Sequence, residues 1–417
     1  MKLTILRATK AFGFLVALYL LIGVVAYVMP DAAVQRHVKQ SLDYGDFRED
    51  YPKAIIIDKP YTQDQYTLDN FTDALILNQV YHQRSEGIKG ILLMPRYDEG
   101  VIQYHNLVKS VNGEESEAGR TIHYARYWHG STFFARIMLF FTSYTGVRYL
   151  LFLISSLLLL WGIVRLWGQV GRVVALSMTF ALLMVDVFVM QFSLQFVQVL
   201  LIAFGGIVWM TYRRGSPVLF FVLGSLTAFL DLITVPTLTL GLPLLVLLAM
   251  RKDQLKQGVV TILQVSMFWL AGYALTWLTK WGLATLLTGE NIFADAVGQG
   301  SRWSENGGSY ISEAISSCLG FLHWKYVLVA LVALVIAAVV HPRKTGWPAA
   351  VTYLLVALIP FAYYIVMAHP AQHHAWFNYR ALAVAVAALL MAAASMVDWN
   401  RYCEIGKKWN VLKRDKE

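Results

Sequence analysis

Three aspartates are the residues of this chain best placed to do chemistry. Asp231 lies within residues 226–236, near the end of an otherwise apolar run. A carboxylate at membrane depth is costly unless it faces protein or water, so its default reading is the wall of a functional cavity. Asp69 and Asp73 stand four apart, on one face of the helix that the sequence predicts from Asp69 onward. A general base needs a carboxylate within hydrogen-bond reach of an acceptor hydroxyl. Two carboxylates could also hold a divalent cation, Mg or Mn, against a phosphate. A structural role fits the same pair, with Asp69 as N-cap and Asp73 as a favourable charge in the first turn. Asn70-Phe71-Thr72 matches a glycosylation acceptor in form, which beside these acids is read as coincidence.

Cations and aromatic rings form two further groups. His123-Tyr124-Ala125-Arg126-Tyr127-Trp128-His129 reads either as an interfacial anchor or as a site where rings stack on a sugar and Arg126 grips a lipid phosphate. His369, His373, His374, Trp376 and Arg380 mark a later loop that enters the last apolar segment. Zinc is disfavoured there, because His373 and His374 are adjacent and cannot share a helical face, and HExxH is absent. Arg380 at the outer start of a span runs against the charge bias and would suit a phosphate. Asp186, Gln191, Gln195 and Gln198 line a polar cavity or, more simply for Asp186, make interhelical hydrogen bonds.

The elements that must position these groups are membrane spans. Of 417 residues, 57% are hydrophobic and 15% charged, and the mean hydropathy is +0.52, which excludes an ordinary soluble domain. Hydropathy predicts about ten spans, at 11–29, 147–165, 173–191, 194–212, 217–234, 237–250, 258–279, 322–340, 348–368 and 380–397. The fifth and sixth are short and flank Pro236 and Pro243, so a broken hairpin is expected. Lys2, Arg7 and Lys10 start the chain, and basic residues recur at Arg165/Arg172, Arg213/Arg214, Arg251/Lys252/Lys256 and Arg343/Lys344 and in the tail 398–417. Residues 30–148 carry 13 basic against 15 acidic side chains. Both termini are therefore expected in the cytoplasm and the long loop outside. The net charge of +9 follows this orientation pattern and does not call for nucleic acid. A cleaved signal peptide is disfavoured, since Val28 to Ala33 is a poor cleavage site. Cys318 and Cys403 fall on opposite faces, which leaves no disulfide framework.

The expected organisation is thus a first span (1–29), an extracytoplasmic loop with amphipathic helices (30–146), a multi-span domain (147–397) with a second outer loop (280–321), and a basic tail. Within the first loop, residues 113–119 predict a solvated turn. Residues 123–142 predict an interfacial helix with Arg126, His129 and Arg136 on its polar side.

Residues 68–77, 126–130, 229–236 with 240–243, and 374–380 resemble the GT-C superfamily of polytopic glycosyltransferases, and more closely a small group of Gram-positive membrane proteins within or near it. The resemblance implies an all-α fold in the bacterial plasma membrane. It also implies a polyprenyl-phosphate-linked sugar as donor, a cell-envelope glycan or glycolipid as acceptor, and usually inversion at the anomeric carbon. The acid in the first outer loop would be Asp69 or Asp73. The family's usual Asp-Glu pair is absent here, which leaves that choice and the metal open. Tyr127, Trp128 and Trp376 would offer rings to the sugar, while Arg126 and Arg380 suit the lipid phosphate by their chemistry. A flippase for a lipid-linked sugar is the competing class, and a non-catalytic partner in wall-polymer assembly is a third.

Overall fold

Apolar runs joined by short polar loops fold here into an almost wholly helical chain. The computed structural model describes residues 2–43, 53–55, 67–251, 254–304, 307–402 and 404. Cys403, Lys252 and the tail from 405 onward lie outside the described residues, as does most of 44–66.

α1 (Lys2–Val28) stops just before Pro30, where the ring disfavours a further helical turn. A loop domain follows: α2 (Asp31–Asp43), the antiparallel pair β1 (Lys53–Ile55) and β2 (Thr67–Asp69), α3 (Asn70–His82) and α4 (Gly90–Leu93). It continues with β3 (Pro95–Asp98), α5 (Gln103–Asn112), β4 (Arg120–His123) and α6 (Gly130–Phe141), and β3 pairs antiparallel with β4. Asp69 caps α3 as expected, its two oxygens accepting the Thr72 amide at 3.1 Å and the Thr72 hydroxyl at 2.7 Å. Gly113 (φ 70°) ends α5, and residues 113–118 are exposed, as three glutamates in six residues predict.

Residues 123–142 are not one interfacial helix. They form the end of β4, a loop, and then α6. His129 takes a left-handed φ of 57°, and Gly130 passes so close to Phe229 that a Cβ would stand 2.6 Å from the ring. Arg136, expected on the polar side, is fully buried. Its Nε donates to Ala26 O at 2.9 Å, Nη1 to Val80 O at 2.5 Å, and Nη2 to Met29 O at 3.0 Å and to the Asp31 carboxylate. One guanidinium therefore serves carbonyls in the last turns of both α1 and α3, where intrahelical donors run short.

The remaining helices, in chain order, are α7 (Tyr144–Gln169), α8 (Arg172–Leu183), α9 (Val187–Gln191), α10 (Val197–Tyr212), α11 (Pro217–Leu230), α12 (Thr237–Arg251), α13 (Leu255–Thr288) and α14 (Ile292–Ser304). They are followed by α15 (Gly307–Phe321), α16 (Trp324–Val340), α17 (Trp347–Ala357), α18 (Ile359–Val366), α19 (Ala368–His373), α20 (Ala375–Asn378) and α21 (Leu382–Ser395). All ten apolar segments are helical over most of their length. Among the described residues, five helical stretches are long and apolar enough to cross a membrane, or six if α15 and α16, bent by 80°, form one broken span. The segment 173–191 is interrupted. The chain leaves the helix at 184–186, where Asp186 has φ 53° and bonds His323 at 3.0 Å and Tyr379 at 2.6 Å. This is the interhelical role, not a lining.

α11 and α13 touch backbone to backbone. A Cβ on Gly224 would stand 2.0 Å from Trp269 O, and one on Gly272 2.0 Å from Phe221 O, so only glycine allows the approach. Ser225 then bridges Tyr19 of α1 at 2.9 Å and Thr276 of α13 at 2.7 Å.

Replacing Arg136 with Met should cost about 3–5 kcal/mol, because buried carbonyls and Asp31 lose their donor. Asp31→Asn, which leaves the three carbonyl bonds, should cost distinctly less. Denaturation midpoints in detergent micelles read both.

Candidate active site

Four aromatic residues recur every fourth position along α13, so their rings climb one face of the helix. Trp269 and Tyr273 have centroids 5.0 Å apart, Tyr273 and Trp277 6.2 Å, and Trp277 and Trp281 5.7 Å. Twelve residues of helix make this ladder about 18 Å long. It forms one wall of a cavity of about 680 Å³, faced by Ile233, Pro236 and Tyr363, with Arg126 and Tyr127 at the Trp281 end. The fourfold spacing stands in plain view in the sequence, but the membrane-span pattern of α13 hides it among other apolar residues.

The loop between β4 and α6 is clamped onto the end of α13. Trp281 Nε1 donates to Arg126 O at 2.9 Å, Trp128 Nε1 to Thr276 O at 2.7 Å, and buried Lys280 to Leu92 O at 2.6 Å. The Arg126 guanidinium lies over the Tyr124 ring at 4.6 Å and donates to both oxygens of Asp295 on α14, at 3.1 and 3.0 Å. Its Nε has no hydrogen-bond partner among the described residues. Buried His129 holds the same loop, with Nε2 donating to Tyr124 O at 2.7 Å. Loss of solvent pushes the His129 pKa down to about 3, so the ring is neutral and the tautomer is set by that carbonyl.

Asp231 sits behind the facing wall and is 2% exposed. Its oxygens accept the Thr234 amide at 3.2 and 3.0 Å and also the Thr234 hydroxyl. That turn forces Ile233, a β-branched residue that lines the cavity, to φ 62°. Left-handed backbone is strained for such a residue, and strain of this kind concentrates at functional sites. The Tyr363 hydroxyl ties the turn down by donating to Thr234 O at 3.2 Å and Asn378 Oδ1 at 2.9 Å. The broken hairpin expected at Pro236 is therefore a shaped wall.

Several expected site residues lie elsewhere. Trp128 is 2% exposed and packs edge-on against the stacked rings of Tyr19 and Phe229, so its ring is core and not a sugar platform. Arg380 is fully buried, because the turn that carries it folds into the bundle. Its guanidinium lies 5.4 Å from the Phe196 ring and 5.0 Å from the Tyr379 ring. Trp376 is half-buried 6.1 Å from Phe196, and His374 is exposed against Phe377, and neither lines the cavity.

Asp69 and Asp73 make a second group, over α7. The Tyr144 hydroxyl donates to Asp73 Oδ2 at 2.5 Å, and Asp73 Oδ1 is buried with no hydrogen-bond partner among the described residues. Burial pushes the Asp73 carboxyl up to about 7, against the opposing effects of Tyr144 and Arg148. Burial raises Asp69 as well. Three of the four carboxylate oxygens already accept protein donors, which leaves only Asp73 Oδ1 open to a cation. Among the described residues, no group of three or more His, Cys, Asp or Glu could hold a metal ion.

Comparison with family models, curated proteins and solved structures gives no match to this chain. The reading of function therefore rests on the geometry above.

The Asp73 carboxyl titrates near 7 in the folded chain and near ~3.9 when unfolded. Between those values the folded state holds a proton that the unfolded state has lost. Its stabilising contribution is complete below pH ~4 and disappears as pH rises to about 7. Asp73→Asn should flatten this part of the stability–pH profile, measured as the denaturation midpoint across the same window.

Proposed function

We propose that this protein is a membrane glycosyltransferase that takes a sugar from a polyprenyl-phosphate donor at the outer face of the membrane. One observation carries the reading: an aromatic groove about 18 Å long that ends at a guanidinium. The polyprenyl chain lies along Trp269, Tyr273 and Trp277, the phosphate meets Arg126, and the sugar rests beside Tyr127 and Trp281. The alternation of basic loops supports an outward-facing groove with both termini in the cytoplasm, and the ten helical segments fit that count of crossings.

None of the three carboxylates lines the groove, and Asp231 is our candidate base because the turn it holds places Ile233 in the groove wall, which brings this carboxylate nearest the donor site. Asp231 accepts the proton of an acceptor hydroxyl on a cell-envelope glycan or glycolipid. The new bond forms at the anomeric carbon as its bond to the phosphate oxygen breaks, and the electron pair leaves on polyprenyl phosphate. Arg126 stabilises that charge.

A carrier for the same lipid-linked sugar is the second reading, favoured by the α11–α12 break and the 80° bend between α15 and α16. One assay separates the two. The purified protein in vesicles is given a panel of polyprenyl-phosphate sugars, and release of polyprenyl phosphate is followed alongside movement of intact donor. A transferase releases lipid phosphate. Arg126→Ala should raise the donor KM at least about tenfold, equivalent to ~1.4 kcal/mol. Asp231→Asn should lower kcat by a factor of about 10²–10⁴, whereas Asp69→Asn should stay within a fewfold of wild type. Transport without cleavage, or full activity in Arg126→Ala, would remove the proposal.

A further inference from the structure

A second cavity, of about 390 Å³, lies far along the helices from the aromatic groove, among the loops that carry Arg172, Arg251 and Arg343. Three helices begin at its edge: α8 at Arg172, α13 at Leu255 and α17 at Trp347. None of the three has a side-chain cap. Each start leaves first-turn amides without an intrahelical acceptor and adds partial positive charge. Convergence of such ends favours an anion.

Two side chains point to the same ligand. Arg343 lines the cavity, and its Nε makes only a long 3.4 Å bond to Thr345. Tyr353 also lines it and is 8% exposed, yet its hydroxyl has no hydrogen-bond partner among the described residues and is not sealed into the core. A buried phenol normally finds a partner. Gln254, Thr345, Thr352 and Ser395 share this polar side, while Val173, Val174, Leu248 and Met391 form an apolar wall, with Trp399 at the rim. A bare ion would waste that apolar wall, whereas an amphiphile uses both halves.

We infer that this cavity binds the phosphate of an anionic phospholipid. The Arg343 guanidinium and the Tyr353 hydroxyl donate to phosphate oxygens, and the apolar wall takes the first carbons of an acyl chain. The site is separate from the donor groove and from any transfer step. Its end of the bundle is the basic one, where anionic headgroups concentrate.

The test uses the full chain in neutral-detergent micelles, titrated with phosphatidylglycerol, phosphatidylcholine or inorganic phosphate, with bound adducts counted by native mass spectrometry. Wild type should hold phosphatidylglycerol at least fivefold more tightly than phosphatidylcholine. Arg343→Ala should weaken phosphatidylglycerol at least fivefold and Tyr353→Phe two- to threefold. Lys344→Ala removes the same charge from the same loop but does not line the cavity, and should change affinity less than twofold. Displacement of the lipid by millimolar inorganic phosphate would support the phosphate site with a soluble source. Equal losses in Arg343→Ala and Lys344→Ala would overturn it in favour of diffuse surface charge, as would full binding by Arg343→Ala in a variant that keeps wild-type thermal stability.

Discussion

The buried guanidinium of Arg136 is the joint on which the loop domain turns. Near the ends of α1 and α3 the Ala26 and Val80 carbonyls are buried, and an apolar neighbour in place of Arg136 would remove their side-chain donor. A planar cation with five donors can serve several at once, and it also complements the negative ends of two helix dipoles. Asp31 balances the charge at the start of α2. The geometry fixes where α1 ends, where α2 turns away and how α3 lies across the bundle, so the other contacts of the loop domain form on an already oriented frame.

α13 does the same for the groove. Its lower half must lie against α11 without side chains between them, which Gly224 and Gly272 permit. Its upper half receives the loop domain through Thr276, Lys280 and Trp281, all near the cavity wall. The face between these two interfaces carries the aromatic ladder. A helix held on two sides presents its third side with little freedom, and the rings of the ladder pack on one another and are steadied by Tyr127 and Phe293. That is a preorganised surface for a long apolar ligand.

The carboxylates illustrate how burial divides residues that look alike in the sequence. Asp69 spends both oxygens on Thr72, and Asp73 is held by Tyr144. Asp231 bends the chain into a strained turn at the groove. All three are buried aspartates near helix ends, yet only the last shapes a turn whose neighbouring residue, Ile233, borders a space large enough for a substrate.

Much was legible in the sequence alone. Apolar run lengths predicted the helices, Pro236 the break after α11, Asp69 the cap of α3, and the glutamates of 113–119 an exposed turn, because each follows from local chemistry over a few residues. Burial was not legible. Arg136 read as the polar side of an interfacial helix, Arg380 as a phosphate ligand and Trp128 as a binding ring, since nothing near them in the chain shows which distant element covers them. The groove shares that limit. The fourfold aromatic spacing on α13 is local, but whether it faces a core, a lipid or a cavity depends on where α11, α18 and the Arg126 loop come to rest, and those long-range contacts exist only once the chain has folded.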